Sequence, residues 1–138
     1  MKTNVLFITL LTAAVAFVTG CETTPGSGRK ISGWQSKIDG SYKSVIFNGE
    51  TDYPAKTTFK TKDGKISGTF EMDNFGLTIT GKLVKFRVVG DRKLKCRWIN
   101  DEDRAGNFNL TFSEDLSSFK GHWDPDDGDG KGAWNGKK

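Results

Sequence analysis

Histidine and cysteine are nearly absent from this chain of 138 residues, which has one histidine, His122, and two cysteines, Cys21 and Cys96. That scarcity excludes much chemistry. A nucleophilic site built on histidine needs the imidazole beside a serine or cysteine and an orienting acid, and nothing in the sequence places such partners near His122. Zinc takes three or four histidine, cysteine or acidic ligands, so the imidazole and thiol supply is too small for a usual site. Two cysteines make no disulfide framework. Long helical periodicity is also missing, and short β-prone runs alternate instead with turn clusters. The sequence reads as all-β and non-catalytic.

The first residues, MKTNVLFITLLTAAVAFVTGC, place Lys2 ahead of an apolar run from Val5 to Val18 that only Thr9 and Thr12 interrupt. Such a run is a secretory signal, too short and wrongly flanked for a stable membrane span. Its ending, Val18-Thr19-Gly20-Cys21, resembles a bacterial lipobox. The resemblance implies cleavage before Cys21 and a lipid on that thiol, palmitate among its acyl chains. Glu22 follows, where an Asp would favour inner-membrane retention in lipoproteins of the enterobacterial kind, so an outer-membrane envelope address is expected. Residues 22–30, ETTPGSGRK, hold no large apolar side chain and have the composition of a flexible tether, about 30 Å at full extension. The expected organisation is a signal peptide over 1–20, a lipidated cysteine and tether over 21–30, and one domain over 31–138. Removing residues 1–20 leaves 118, with 20 basic residues against 17 acidic ones. Cys96 then has no partner and reads as a small buried apolar residue.

The clearest local signal is Thr57–Phe70, TTFKTKDGKISGTF. Asp63-Gly64 suits a two-residue type I′ turn, in which both residues take φ > 0. Pairing outward sets Lys62 opposite Lys65, Thr61 opposite Ile66, Phe59 opposite Gly68 and Thr57 opposite Phe70, with the apolar residues on one face. The spacing recurs at Phe112, Phe119, Gly121 and Trp123, predicting a second such hairpin with Phe112 opposite Gly121 and Leu110 opposite Trp123. Strands are expected near 38–48, 55–62, 65–73, 76–89, 93–100, 104–113, 118–124 and 131–136. That is an up-and-down antiparallel meander of about eight strands, a number that can close into a small barrel. A four-residue turn at 73–76 pairs Met72 with Leu77 and Phe70 with Ile79, and a last hairpin pairs Trp123 with Trp134. The apolar phase flips from odd to even at Leu83-Val84, which predicts a β-bulge there. A three-residue turn at 90–92 then sets Val88 opposite Leu94, Phe86 opposite Cys96, Val84 opposite Trp98, Lys85 opposite Arg97 and Arg87 opposite Lys95.

Glycine precedes a bulky apolar residue by two positions again and again, as in Gly68/Phe70, Gly106/Phe108 and Gly121/Trp123. Glycine weakens a strand unless another group needs its space, so aromatic rings are expected to lie across these gaps, Phe59 over Gly68 and Phe112 over Gly121. This grammar, DGKISGTFE above all, resembles hairpins of avidin-like and lipocalin-like barrels, which bind small ligands inside eight-stranded sheets. The lipocalin Gly-any-Trp signature belongs at the first strand, where this chain has adjacent Gly33-Trp34. No ligand-binding residue carries over.

Two polar constellations remain. Lys82, Lys85, Arg87, Lys93, Lys95 and Arg97, with Arg92 at the turn, form a basic ribbon that suits an anionic lipid head group, lipopolysaccharide phosphate or acidic glycan; it also reads as a solvated face that guards against edge pairing. Nucleic acid is not expected at an envelope address. Asp124, Asp126, Asp127 and Asp129 read first as a solvated hairpin turn; they also supply enough oxygen for a weak Ca²⁺ site, though they depart from an EF-hand loop. No other cofactor is implied. The sequence therefore predicts a non-catalytic, lipid-anchored envelope module that binds through the barrel mouth or the basic ribbon. Its alternative is a structural, accessory or inhibitor-like lipoprotein whose barrel is filled by Phe59, Phe70, Phe86, Trp98, Phe108, Phe112 and Trp123.

Overall fold

The computed structural model describes residues 33–138; the expected signal peptide, Cys21 and the expected tether lie outside them. A 3-10 helix, Gly33–Lys37, precedes eight strands: β1 Gly40–Phe47, β2 Asp52–Lys62, β3 Lys65–Asn74, β4 Leu77–Gly90, β5 Lys93–Asn100, β6 Ala105–Phe112, β7 Ser118–Pro125 and β8 Gly132–Lys137. Each strand pairs antiparallel with the next, and β1 closes on β8 from Ile46↔Trp134 to Lys43↔Lys137. The protein is thus a closed eight-stranded up-and-down barrel, and closure leaves no free sheet edge.

Alternation sets its polarity. Along β1 the residues Tyr42, Ser44 and Ile46 are buried while Ser41, Lys43 and Val45 face out. Lys56, Lys60, Lys82, Arg87, Lys95 and Lys120 are exposed on the outer wall, the reverse of the apolar outer band of a membrane-spanning barrel. Burying each large inner side chain contributes roughly 1.5–3 kcal/mol.

The Thr57–Phe70 hairpin forms in the expected register, and Asp63 and Gly64 both have positive φ, 52° and 77°. Elsewhere the inward faces agree but several registers differ by two residues. Asn74 pairs with Leu77 and Phe70 with Gly81, because Phe75-Gly76 forms a two-residue turn with φ of 54° and 92°, closed by Gly76 N–H donating to Asp73 Oδ1 at 2.7 Å. A ring at positive φ is costly, and Phe75 packs edge-on against Tyr53. In the second hairpin Phe112 pairs with Phe119, Leu110 with Gly121 and Phe108 with Trp123. There Ser113 and Ser118 bond across a longer turn that buries Leu116 at a φ of 62°. In the last hairpin Gly121 pairs with Trp134 and Trp123 with Gly132, so the two tryptophans are not opposite one another.

The bulge lies slightly later than expected. Leu83 pairs with Trp98 and Val84 with Arg97, then the register shifts so that Arg87 pairs with Lys95 and Val88 with Leu94. Lys85 and Phe86 share the space opposite Cys96, Lys85 takes a φ of 56°, and a second shift falls between Val88 and Gly90. Lys85 is therefore not opposite Arg97, nor Val84 opposite Trp98. The bulge still does what the phase flip requires: Leu83 before it and Phe86 after it both turn toward the core.

Rings do cover glycines, with other partners than expected. Phe70 lies over its paired Gly81, Phe119 over Gly136 and Phe108 over Gly121, while Gly68 is covered by Leu83. One end of the barrel is filled by rings. Tyr42, Phe59, Phe112 and Phe119 meet at centroid distances of 5.4–5.9 Å, edge to face except for the tilted Tyr42–Phe112 pair. Trp34 packs on Phe112 from the short helix, and Ile38 is fully buried beneath it. The Tyr42 hydroxyl donates to Leu116 O at 2.7 Å; burial, aided by nearby Asp115, pushes its pKa up to about 12.

Candidate functional site

The opposite end is open. The connections 48–51, 75–76, 101–104 and 126–131 all lie there, around a cavity of about 220 Å³ that reaches down the barrel axis. Phe70, Trp98, Trp123 and Trp134 form its walls, with Tyr53, Glu102 and Arg104 nearer the rim. Five of these seven are aromatic residues that alternation turns inward. At the other end Tyr42, Phe59, Phe112 and Phe119 meet one another and fill the barrel, whereas the rings here line it.

The walls are fixed by hydrogen bonds. Trp123 Nε1 donates to Phe47 O at 3.0 Å, holding the β7 ring against the end of β1. Trp134 Nε1 donates to Thr57 Oγ1 at 3.0 Å, and Ser44 Oγ lies 2.9 Å from the same oxygen, so the buried polar atoms beneath the cavity satisfy one another. Trp134 also stacks on Phe108 with centroids 4.2 Å apart, and Phe70 meets it edge-on at 4.9 Å. Trp98 stands perpendicular to Trp123 at 5.7 Å, and its Nε1 is buried without a hydrogen-bond partner.

Side-chain amides shape the rim. Asn48 Oδ1 accepts from Glu50 N and Thr51 N, and Asn100 Oδ1 accepts from Glu102 N and Arg104 N, each closing its connection back on itself. Arg104 turns its guanidinium away to Asp127 and to Asp129 O, the latter at 2.8 Å. Glu102 is exposed and forms no ion pair among the described residues.

The acidic loop is tied to cations of the chain itself. Asp126 forms a two-pronged pair with Arg97, whose hydrogen bonds hold the carboxyl below its usual pKa and raise that of the guanidinium. Asp127 accepts from Asp129 N–H and from Arg104, and both lower its pKa. Asp124 accepts from Asn107 Nδ2 at 3.3 Å. Among the described residues no three histidine, cysteine or acidic side chains converge to hold a metal ion, so the four aspartates of the expected Ca²⁺ loop do not form one cluster.

The basic ribbon is divided. Lys85, Arg87, Lys95 and Arg97 surround an open groove of about 600 Å³ on the outer wall at the bulge, with Asn107, Asn109 and Asp124 along its far side. Arg87 stands directly opposite Lys95, as expected. Lys82 lies beside Ile99, and Lys93 lies near the turn beside Thr111, both away from the groove. His122 faces solvent and Cys96 is buried, a free thiol whose pKa burial pushes up.

Trp98, Trp123 and Phe70 were legible as inward residues, but their role as cavity wall was not. Tyr53, Glu102 and Arg104 carried no signal of their own, because their meeting at one rim depends on registers that the sequence pattern leaves open by two residues.

No protein-family model and no curated protein matches the chain. A solved structure described as a redesigned beta barrel is similar to it, with a TM-score of 0.68 and 14% sequence identity over 80% of this chain and 98% of that one. At that identity the likeness concerns the fold alone.

Proposed function

We propose that this protein is a non-catalytic, lipid-anchored module of the bacterial cell envelope that takes a small ligand into the open end of its barrel. The observation that carries the reading is the asymmetry of the interior: rings pack one end solid, while at the other the same residue types wall a cavity of about 220 Å³. That volume is below the usual range for drug-sized ligands, roughly 300–1,000 Å³, so the ligand is small.

Anchoring rests on the lipobox-like Val18–Cys21, with the outer membrane favoured. Labelling with a palmitate analogue in the wild type, and its loss in Cys21→Ala, tests the anchor. For the mouth, saturation-transfer NMR with a panel of small neutral and charged compounds should give hits that vanish in Ile79→Phe, which fills the cavity from β4. Hits that survive the filling variant, or an empty panel, would overturn the reading.

The outer groove favours a second reading, contact with an anionic surface such as lipid or lipopolysaccharide phosphate. Lys85, Arg87 and Lys95 have no ion-pair partner among the described residues, whereas Arg97 is held by Asp126. Asp126→Asn should therefore strengthen salt-sensitive binding to anionic vesicles, and joint neutralisation of Lys85, Arg87 and Lys95 should abolish it. A wild type that ignores such vesicles removes this reading.

A further inference from the structure

We infer that the ligand of the barrel mouth is a small organic cation of the alkylammonium class. The inference rests on the mouth being the ligand site and adds the charge and chemistry of what enters it.

Two features of the mouth act together. Its walls are mainly aromatic, beside the aliphatic Ile46, Met72 and Ile79, and Trp98 and Trp123, like Phe70 and Trp134, stand nearly perpendicular in pairs at 83° and 77°. In a perpendicular pair the ring that gives its edge keeps its own faces free of that partner, as in Trp98 and Trp123, whereas Trp134 has one face stacked on Phe108. The face of an aromatic ring carries negative potential, tryptophan most of all, and attracts an ammonium group within about 6 Å of its centroid. A neutral apolar guest would be served as well by leucine or isoleucine walls.

The second feature is the rim. The four connections at this end carry seven carboxylates against two cations, Arg104 and Lys131. Asp127 is neutralised by Arg104, and Asp126 by Arg97 from the outer wall. The other five carboxylates, Glu102 on the cavity itself among them, have no ion pair among the described residues. A mouth of one sign with low-dielectric walls focuses its field and raises the local concentration of ions of the opposite sign. The rest of the barrel is rich in lysine, so this negative ring runs against the net charge of +4. An anionic guest is repelled at the entrance. A strongly hydrated metal ion gains little from the rings, and among the described residues no carboxylate cluster is placed to hold one. An organic cation meets both features at once, the carboxylates on approach and the ring faces on entry.

Choline and its uncharged carbon isostere, 3,3-dimethylbutan-1-ol, have nearly the same shape and separate charge from size. Titrated into the full-length protein and followed by calorimetry and tryptophan fluorescence, choline should bind at least about tenfold more tightly than the isostere. Added salt should weaken choline alone. Glu102→Gln, an exposed substitution that leaves the wall intact, should lower choline affinity about threefold and leave the isostere unchanged. Phosphatidylcholine vesicles replace choline in a further arm: a response to both assigns a head-group cation, and a response to choline alone assigns a free one. Equal binding of choline and isostere overturns the cation inference and leaves the mouth reading standing. Binding of neither, while other compounds still reach the mouth, does the same; loss of every mouth-directed hit removes both.

Discussion

Trp98 on β5 lies across the barrel wall from Gly106 on β6, and its indole nitrogen is 2.7 Å from the point that a Cβ on Gly106 would occupy. The absent side chain is thus what allows the tryptophan to sit flat against the wall of the mouth. Main chain closes the same space from the other side, since Pro125 Cα is also 2.7 Å from that point. Backbone cannot step aside as a side chain does. Gly106→Ala is expected to cost about 3 kcal/mol by overpacking, measured by urea unfolding. Gly90→Ala, where the Cβ would meet only the flexible Lys93 side chain, is expected to stay within about 0.5 kcal/mol. Equal losses at the two sites would remove the close approach as the reason for Gly106.

The two buried indole donors predict opposite outcomes for one chemical change. Trp134 Nε1 has a partner in Thr57, whereas Trp98 Nε1 has none. A buried donor without a partner costs about 1–3 kcal/mol, so Trp98→Phe removes a liability together with its packing. Trp134→Phe removes packing and a satisfied bond. The second variant should be less stable than the first by about 1–2 kcal/mol, again by urea unfolding, and the reverse order would contradict the assignment of the two hydrogen-bond states.

How far these features could be read from the chain follows from the period of a strand. Alternation over two residues fixes which face a side chain takes, so Phe59, Phe70, Trp98 and Trp123 were placed inward correctly. It cannot distinguish registers that differ by two, since these present the same faces. Asp63-Gly64 resolved the ambiguity because its turn chemistry is unmistakable. Phe75-Gly76 did not, since a phenylalanine at positive φ runs against the local preference. The position of the cavity was hidden for the same reason: depth along the barrel axis is a matter of register, and whether a ring fills space or lines it depends on what stands across from it at that depth.

Asp115, in the turn at the closed end, accepts hydrogen bonds from the side chain and N–H of Ser117 and from Ser113 Oγ, which lower its pKa from 3.8 to about 2. A carboxyl depressed in the folded state contributes stability above its unfolded pKa and loses it as pH falls through the folded value. The wild type should therefore lose stability between about pH 4 and pH 2 through this group. Asp115→Asn should be less stable at neutral pH, with a flatter acid limb across that window in a series of thermal melts. An unchanged acid limb would mean that these bonds do not persist in solution.

The central claim is that the open mouth, and not the packed end, receives a ligand. The four tryptophans test it directly, because Trp98, Trp123 and Trp134 wall the mouth while Trp34 packs on Phe112 at the other end. In a ¹H–¹⁵N spectrum titrated with the tightest-binding compound of the saturation-transfer panel, the indole resonances of the three mouth tryptophans should shift together with one affinity, and that of Trp34 should stay in place. A shift of Trp34 alone, or no shift of the other three at saturation, would contradict the account.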